Sequence, residues 1–160
     1  MTNKEFEAQM QRLKLEYTRK SNNINRQKDE AARNKRMHLM ALRTKHDREH
    51  RVEMDKLAEL MRAKAALFDG DPKRDQLAME IRIAEKRMSM MRNEYQAECR
   101  CVIDDTYTLR TILDDEARAL TEWYEEEKAK VFAEFETSES LKDDNLDNPD
   151  NPASITNNPI

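Results

Sequence analysis

Phe68-Asp69-Gly70-Asp71-Pro72 contains the only glycine of this 160-residue chain and separates two long, highly charged segments. A glycine takes the left-handed conformation that ends a helix, and an aspartate accepts hydrogen bonds from the first free amides of the next one. Proline suits the first position of that next helix. The stretch therefore predicts a chain reversal at about residues 69–72, within an all-α fold: a long antiparallel two-helix coiled-coil hairpin.

The arms of this hairpin are predicted by apolar residues that recur every three or four positions, which is the spacing of one helical face. The pattern predicts helix 1 over about residues 4–68 and helix 2 over about 72–137, so that residues 1–137 form the hairpin. The face of helix 1 includes Phe6, Leu13, Tyr17, Ile24, Leu39, His46, His50, Leu57 and Leu60. The face of helix 2 includes Ile81, Met88, Tyr95, Cys99, Leu113, Tyr124 and Phe135.

A fold about the turn pairs residues whose numbers add to 141, for example Phe6 with Phe135 and Tyr17 with Tyr124. The same fold brings a basic arm against an acidic one. Residues 1–68 carry 17 Lys and Arg against 10 Asp and Glu, whereas residues 69–160 carry 12 against 23. We therefore expect the two arms to attract one another.

The predicted pairing is weakest where Ser21, Lys28 and Lys35 of helix 1 face helix 2. We expect the leucines opposite them to be poorly covered. The pattern leaves open whether helix 1 breaks at Ser21-Asn22-Asn23, a sequence that can also cap a new helix. The leucines concerned are Leu109, Leu113 and Leu120.

The helical pattern stops near Thr137, and the segment after it is acidic, rich in asparagine and interrupted by prolines. Such a composition cannot bury enough apolar surface to offset the entropy of ordering. We predict a disordered tail over residues 138–160.

The composition excludes several classes of protein. Charged residues make up 39% of the chain and the mean hydropathy is −1.06, values typical of long helices that each bury one stripe. We find neither a secretory signal nor a run of 18 apolar residues. Cys99 and Cys101 are too few and too close for a disulfide framework, which suits a reducing compartment, so we expect a cytoplasmic protein. No cofactor or small-molecule substrate is predicted.

Helix 2 carries a second apolar stripe about 120° from its pairing face, with helical spacing throughout. A helix that is apolar on two sides is usually buried on two sides, so we predict a protein partner, most simply a second copy of the chain in a four-helix bundle. The predicted interface is Ile83, Met90, Ala97, Cys101, Ile112, Ala119 and Trp123.

His46-Asp47-Arg48-Glu49-His50 resembles the H-x-x-E-H motif of inverzincins, in which two histidines bind zinc and the glutamate activates water. The family also uses a downstream glutamate, and Glu125 to Glu127 are available. That family builds its site in a large α/β domain, which this short and almost glycine-free chain does not predict. We therefore predict that the protein is not an enzyme. His46 and His50 remain weak metal candidates, with three readings open: polar breaks that fix register, a pH-sensitive joint, or a zinc site shared between chains.

The basic stretch over residues 19–51 suggests an alternative, since lysines and arginines along one helix can follow nucleic-acid phosphates. The stretch lacks aromatic residues for base stacking. We therefore predict a non-enzymatic structural or adaptor coiled coil acting through protein–protein association, with a nucleic-acid-binding accessory protein as the alternative. The candidate nucleic-acid face is Arg26, Arg33, Arg36, Arg43, Arg48 and Arg51.

Overall fold

The computed structural model describes residues 1–146, with side chains to residue 142. Two helices account for nearly all of this length: α1, Asn3–Ala65, and α2, Pro72–Leu146. They pack against each other in antiparallel orientation, which confirms the predicted all-α helical hairpin. The predicted tail beyond residue 146 lies outside the described residues.

The turn between the helices uses the residues that the sequence singled out. Gly70 has a φ of +93°, in the left-handed region. A methyl group added to Gly70 would meet nothing within 4 Å, so its conformation and not a lack of space favours glycine. The carboxylate of Asp71 accepts a hydrogen bond from the Lys73 amide at 3.0 Å, which caps α2, and Arg74 pairs with the carboxylate of Asp69.

The ends of both helices differ from the predicted bounds. α1 ends at Ala65 and not at 68, and its last turn is followed by a hydrogen bond of 3.2 Å from the Leu67 amide to the carbonyl of Lys64, three residues earlier. α2 continues through residues 138–146, where the sequence predicts a disordered tail. This extension lacks glycine and proline, and Lys142 lies 3.5 Å from Glu139 one turn away. Ser138 also accepts a hydrogen bond of 2.6 Å from the N-terminal amine of Met1.

The start of α1 is closed by a reciprocal pair of hydrogen bonds between Thr2 and Glu5. The Glu5 amide donates to the Thr2 hydroxyl at 3.1 Å, and the Thr2 amide donates to the Glu5 carboxylate at 2.8 Å. This is a capping box. The hydrogen bond from the Thr2 backbone lowers the pKa of Glu5.

The contacts divide the hairpin into two compact units, which we call the turn unit, Lys28–Thr111, and the terminal unit, Met1–Gln27 with the described residues from Ile112 onward. In the turn unit, Leu57 on α1 forms a buried cluster with residues of α2, and the half-buried Leu60 packs against it. The α2 members of that cluster are Ile81, Ala84 and Met88.

In the terminal unit, aromatic pairs join the two helices at the predicted levels. Phe6 stacks on Phe135 with ring centroids 4.5 Å apart, and Tyr17 stacks on Tyr124 at 4.4 Å. The Tyr17 hydroxyl also lies 3.4 Å from that of Thr121. The residue pairing that adds to 141 is therefore confirmed at these levels.

The segment expected to be weak is better packed than its sequence suggested. Leu113 is only 2% exposed, the most buried large side chain among the described residues, so the expectation that it would be poorly covered was wrong. α1 also runs unbroken through residues 21–23. Ile24 is buried directly after them, and Asn23 accepts a hydrogen bond of 2.7 Å from Arg26 instead of capping a new helix. Leu109 is exposed, as predicted.

Candidate partner-binding surface

The α2 stripe, which we define as the seven interface residues predicted above, is largely exposed in the turn unit. Ile83 is 53% and Met90 is 56% exposed, and Ala97 and Cys101 are also exposed. Residues seven apart return to nearly the same direction on a helix, and Cys101 follows Ala97 by about one turn. The structure therefore places these four side chains along one line of α2, away from the buried cluster.

In the terminal unit the same stripe is covered to a different extent. Ile112 is half exposed and Ala119 is exposed, but Trp123 is partly covered by α1. The ammonium group of Lys20 lies 4.4 Å from the centroid of the Trp123 ring, a cation–π contact. Glu16, 3.0 Å from the same ammonium group, holds Lys20 in place. The spacing of the α2 stripe predicts an uncovered Trp123 and does not reveal this contact.

The apolar surface of the turn unit extends from α2 onto α1. Val52 is about half exposed and lines an open groove of about 470 Å³ together with Met91. Glu53 and Arg87 form an ion pair of 3.6 Å across this groove. Val52 was missed because it lies outside the pairing face of helix 1. Its apolar character between charged neighbours was the available signal. The remaining groove residues are Arg48 and Glu49.

A further exposed stripe lies on α1 of the turn unit and was also missed. We call it the Met stripe and define it as Met40, Met54 and Met61, which are between 46 and 69% exposed. The residues are 14 and 7 positions apart, so they share one direction of the helix. Methionine is flexible and polarizable, which suits an adaptable contact surface. The signal was present in the sequence as a second spacing of seven beside the pairing face.

All six arginines of the candidate nucleic-acid face are exposed. Arg26 belongs to the terminal unit, where it lines an open depression of about 520 Å³ with Arg19 and Lys20. The other five belong to the turn unit, and Arg43 lies 3.9 Å from Asp47 on the same helix. Several of these arginines lie beside the Met stripe. The candidate nucleic-acid face and the Met stripe therefore overlap on α1.

The two histidines lie on the pairing face, as predicted. His46 stacks on the ring of Tyr95, and its own ring centroid is 5.5 Å from that of His50. No group of three His, Cys, Asp or Glu side chains within the described part of the chain is arranged to hold a metal ion. The H-x-x-E-H motif therefore does not assemble a metal site from the described residues.

The two cysteines face different surroundings on α2. Cys99 is half-buried on the pairing face next to Tyr95, while Cys101 is exposed on the α2 stripe. Because the two cysteines are two residues apart, their side chains point about 200° apart around the helix. Each thiol is free, and the interaction with Cys99 is the main cause that raises the pKa of Tyr95.

Comparison with known proteins found no matching family model, no matching curated protein and no matching solved structure. Neither helix, over its described length, is long and apolar enough to cross a membrane.

Proposed function

We propose that this protein is a non-enzymatic structural or adaptor coiled coil of the cytoplasm that acts through protein–protein association. Its partner includes a second copy of the chain, bound through the α2 stripe. The observation that supports the proposal is the exposure of Ile83 and Met90, each more than half exposed on a helix whose pairing face already forms a buried cluster.

The energetic argument rests on apolar area. Burying apolar surface is favourable by about 25 cal/mol per Å², so a line of aliphatic side chains along several helical turns gains several kcal/mol when another helix covers it. A single exposed aliphatic residue on a protein surface is common. A line of them at a constant spacing is typical of a helix–helix contact.

Sedimentation velocity of the full chain over a hundredfold range of concentration tests the proposal. We expect the mass to rise above the 19.0 kDa of one chain, and Met90→Glu to shift this rise to at least tenfold higher concentration. Leu15→Glu is the matched control, since Leu15 is similarly exposed but lies on the side of α1 that is opposite its pairing face. A mass of 19.0 kDa at every concentration would refute self-association.

The exposed arginines support a second candidate function, an accessory protein that binds nucleic acid through α1. This function predicts binding that weakens steeply with salt, because each phosphate contact releases counterions. A gel-shift titration at low and moderate salt, with and without residues 147–160, which follow the end of α2, separates the two candidates. If nucleic acid binds the shortened chain strongly at moderate salt and Arg36→Ala weakens that binding, the second function is favoured.

A further inference from the structure

The turn unit exposes two apolar stripes that share a spacing. The Met stripe follows intervals of 14 and 7, with Asp47 at the heptad position in between, and Ile83, Met90 and Ala97 follow intervals of 7. Heptad spacing is the pattern of a helix that packs along another helix. Both stripes therefore have the pattern of helix–helix contacts that the hairpin leaves uncovered.

The two stripes lie on opposite faces of the turn unit. Val52 of α1 and Arg87 of α2 line the same groove, so both are on one face. At 100° per residue, Ile83 and Met90 point to the same side of α2 as Arg87. This is the side of the α2 pairing face on which the groove lies. By the same projection Met54 and Met61 lie on the other side of the α1 pairing face from Val52. One copy can thus present its Met stripe to one neighbour and its α2 stripe to another.

The charges beside the two stripes are opposite in sign. Within about 80° of the Met stripe, residues 33–65 carry five arginines and one aspartate. Within the same angle of the α2 stripe, residues 80–105 carry five acidic side chains against Lys86 and Arg87. The arginines are Arg33, Arg36, Arg43, Arg51 and Arg62, and the acidic residues are Glu80, Glu94, Glu98, Asp104 and Asp105.

We propose that the occupant of the α2 stripe in the turn unit is the Met stripe of a second copy of this chain. This rests on the proposed self-association and specifies its geometry. With the copies in the same orientation, Met61 lies opposite Ile83 and Met54 opposite Met90. The same alignment places Arg51 beside Glu94 and Arg62 beside Glu80. Pairing one α2 stripe with another would instead bring two predominantly acidic borders together.

The contact joins different surfaces of the two copies and leaves one stripe of each kind free at the ends. Such a contact does not close on itself in a dimer, so chains add further copies as the concentration rises. The protein is then a subunit of a stacked assembly, and the protein concentration determines the length of that assembly.

Two complementary double variants of the full chain test this geometry. Met54→Glu/Met61→Glu blocks the Met stripe, and Ile83→Glu/Met90→Glu blocks the α2 stripe. We expect the wild-type mass to keep rising with concentration, each variant alone to stay at 19.0 kDa, and an equimolar mixture to form a heterodimer that grows no further. Circular dichroism checks that both variants keep the helical fold, and Leu15→Glu serves as control.

Charge reversal provides a second test that leaves the apolar residues intact. Arg51→Glu and Glu94→Arg should each weaken association several-fold alone, and a mixture of the two variants should associate more strongly than either. If the Met-stripe variant assembles like wild type while the α2-stripe variant does not, the α2 stripe binds another surface and the proposed geometry is wrong, although self-association stands. A mixture that stays monomeric also overturns the geometry. A wild-type chain that is monomeric throughout overturns both proposals.

Discussion

The imidazole ring of His46 stacks on the phenol ring of Tyr95, with centroids 4.3 Å apart and planes inclined by 14°. The contact joins α1 to α2 at a level where the residue numbers add to 141, the pairing that the position of Gly70 predicts. A polar aromatic pair at this level favours one register of the two helices, because a shifted register would place both rings against unmatched neighbours.

Replacing His46 by alanine should therefore destabilise the hairpin. We expect His46→Ala to lower the free energy of unfolding by about 1 kcal/mol, the range of a stacked aromatic pair. His38→Ala is the matched control, because His38 is exposed on the same helix and should change stability by less than about 0.5 kcal/mol. Urea unfolding at low protein concentration measures both. Equal effects of the two substitutions would show that the stack does not contribute.

Tyr95 should also make the stability of the hairpin depend on pH in the alkaline range. Interaction with Cys99 is the main cause that raises the pKa of Tyr95, with desolvation adding to it. Because the folded pKa is above the unfolded value of about 10, this stabilisation is present below pH 10 and is lost as the pH rises through the folded pKa.

The difference in urea midpoint between wild type and Tyr95→Phe reports this titration, since phenylalanine keeps the ring and removes the hydroxyl. Between pH 8 and 11, wild type should lose stability faster than Tyr95→Phe. Tyr107→Phe, at an exposed position on α2, should follow wild type. Parallel curves for wild type and Tyr95→Phe would contradict the assignment.

Glu53 is a charged residue in a position that suits an apolar one. Its side chain is 13% exposed, and its buried Oε2 atom has no hydrogen-bond partner in the described residues. The carboxylate forms only long ion pairs, 3.6 Å to Arg87 and 3.6 Å to Lys56, among the contacts of these residues. Replacing a poorly satisfied buried charge by a packed aliphatic residue is often stabilising. We expect Glu53→Leu to raise the free energy of unfolding by about 1 kcal/mol, and Glu49→Leu, on the exposed neighbouring turn, to leave it nearly unchanged. Chemical denaturation would contradict this if Glu53→Leu were destabilising.

Leu113 tests the packing of the terminal unit. Its side chain is 2% exposed, so Leu113→Ala should cost about 2–4 kcal/mol through lost burial and a residual cavity. Leu15→Ala, at 62% exposure in the same unit, should cost less than about 1 kcal/mol. Thermal melts monitored by circular dichroism compare the two, and similar melting temperatures would show that Leu113 is not buried in solution.

The sequence predicted the hairpin and its register because both depend on patterns that run the length of a helix. Gly70 marks the reversal, and the aromatic residues at Phe6, Tyr17, Tyr124 and Phe135 match only when the arms are aligned about it. These features are local or periodic, so they can be recognised without coordinates.

Other features depended on details that periodicity does not carry. Leu113 is buried although the residues expected opposite it are polar, and the spacing of apolar residues does not describe such packing. The contact of Lys20 with Trp123 depends on the reach of a flexible side chain. α2 continued past Thr137 because helical propensity and an ion pair extend a helix after its apolar face has ended. The Met stripe has a regular spacing, but it lies outside the pairing face of helix 1, so the pattern of that face does not predict it.

The native thiol of Cys101 reports whether the α2 stripe is a contact surface between chains. In a Cys99→Ala chain, Cys101 is the only thiol, and its rate of alkylation can be followed as the protein concentration rises. We expect the rate to fall in parallel with the increase in mass, because association covers the α2 stripe. An alkylation rate that stays constant while the mass increases would show that the chains associate elsewhere and would contradict the claim.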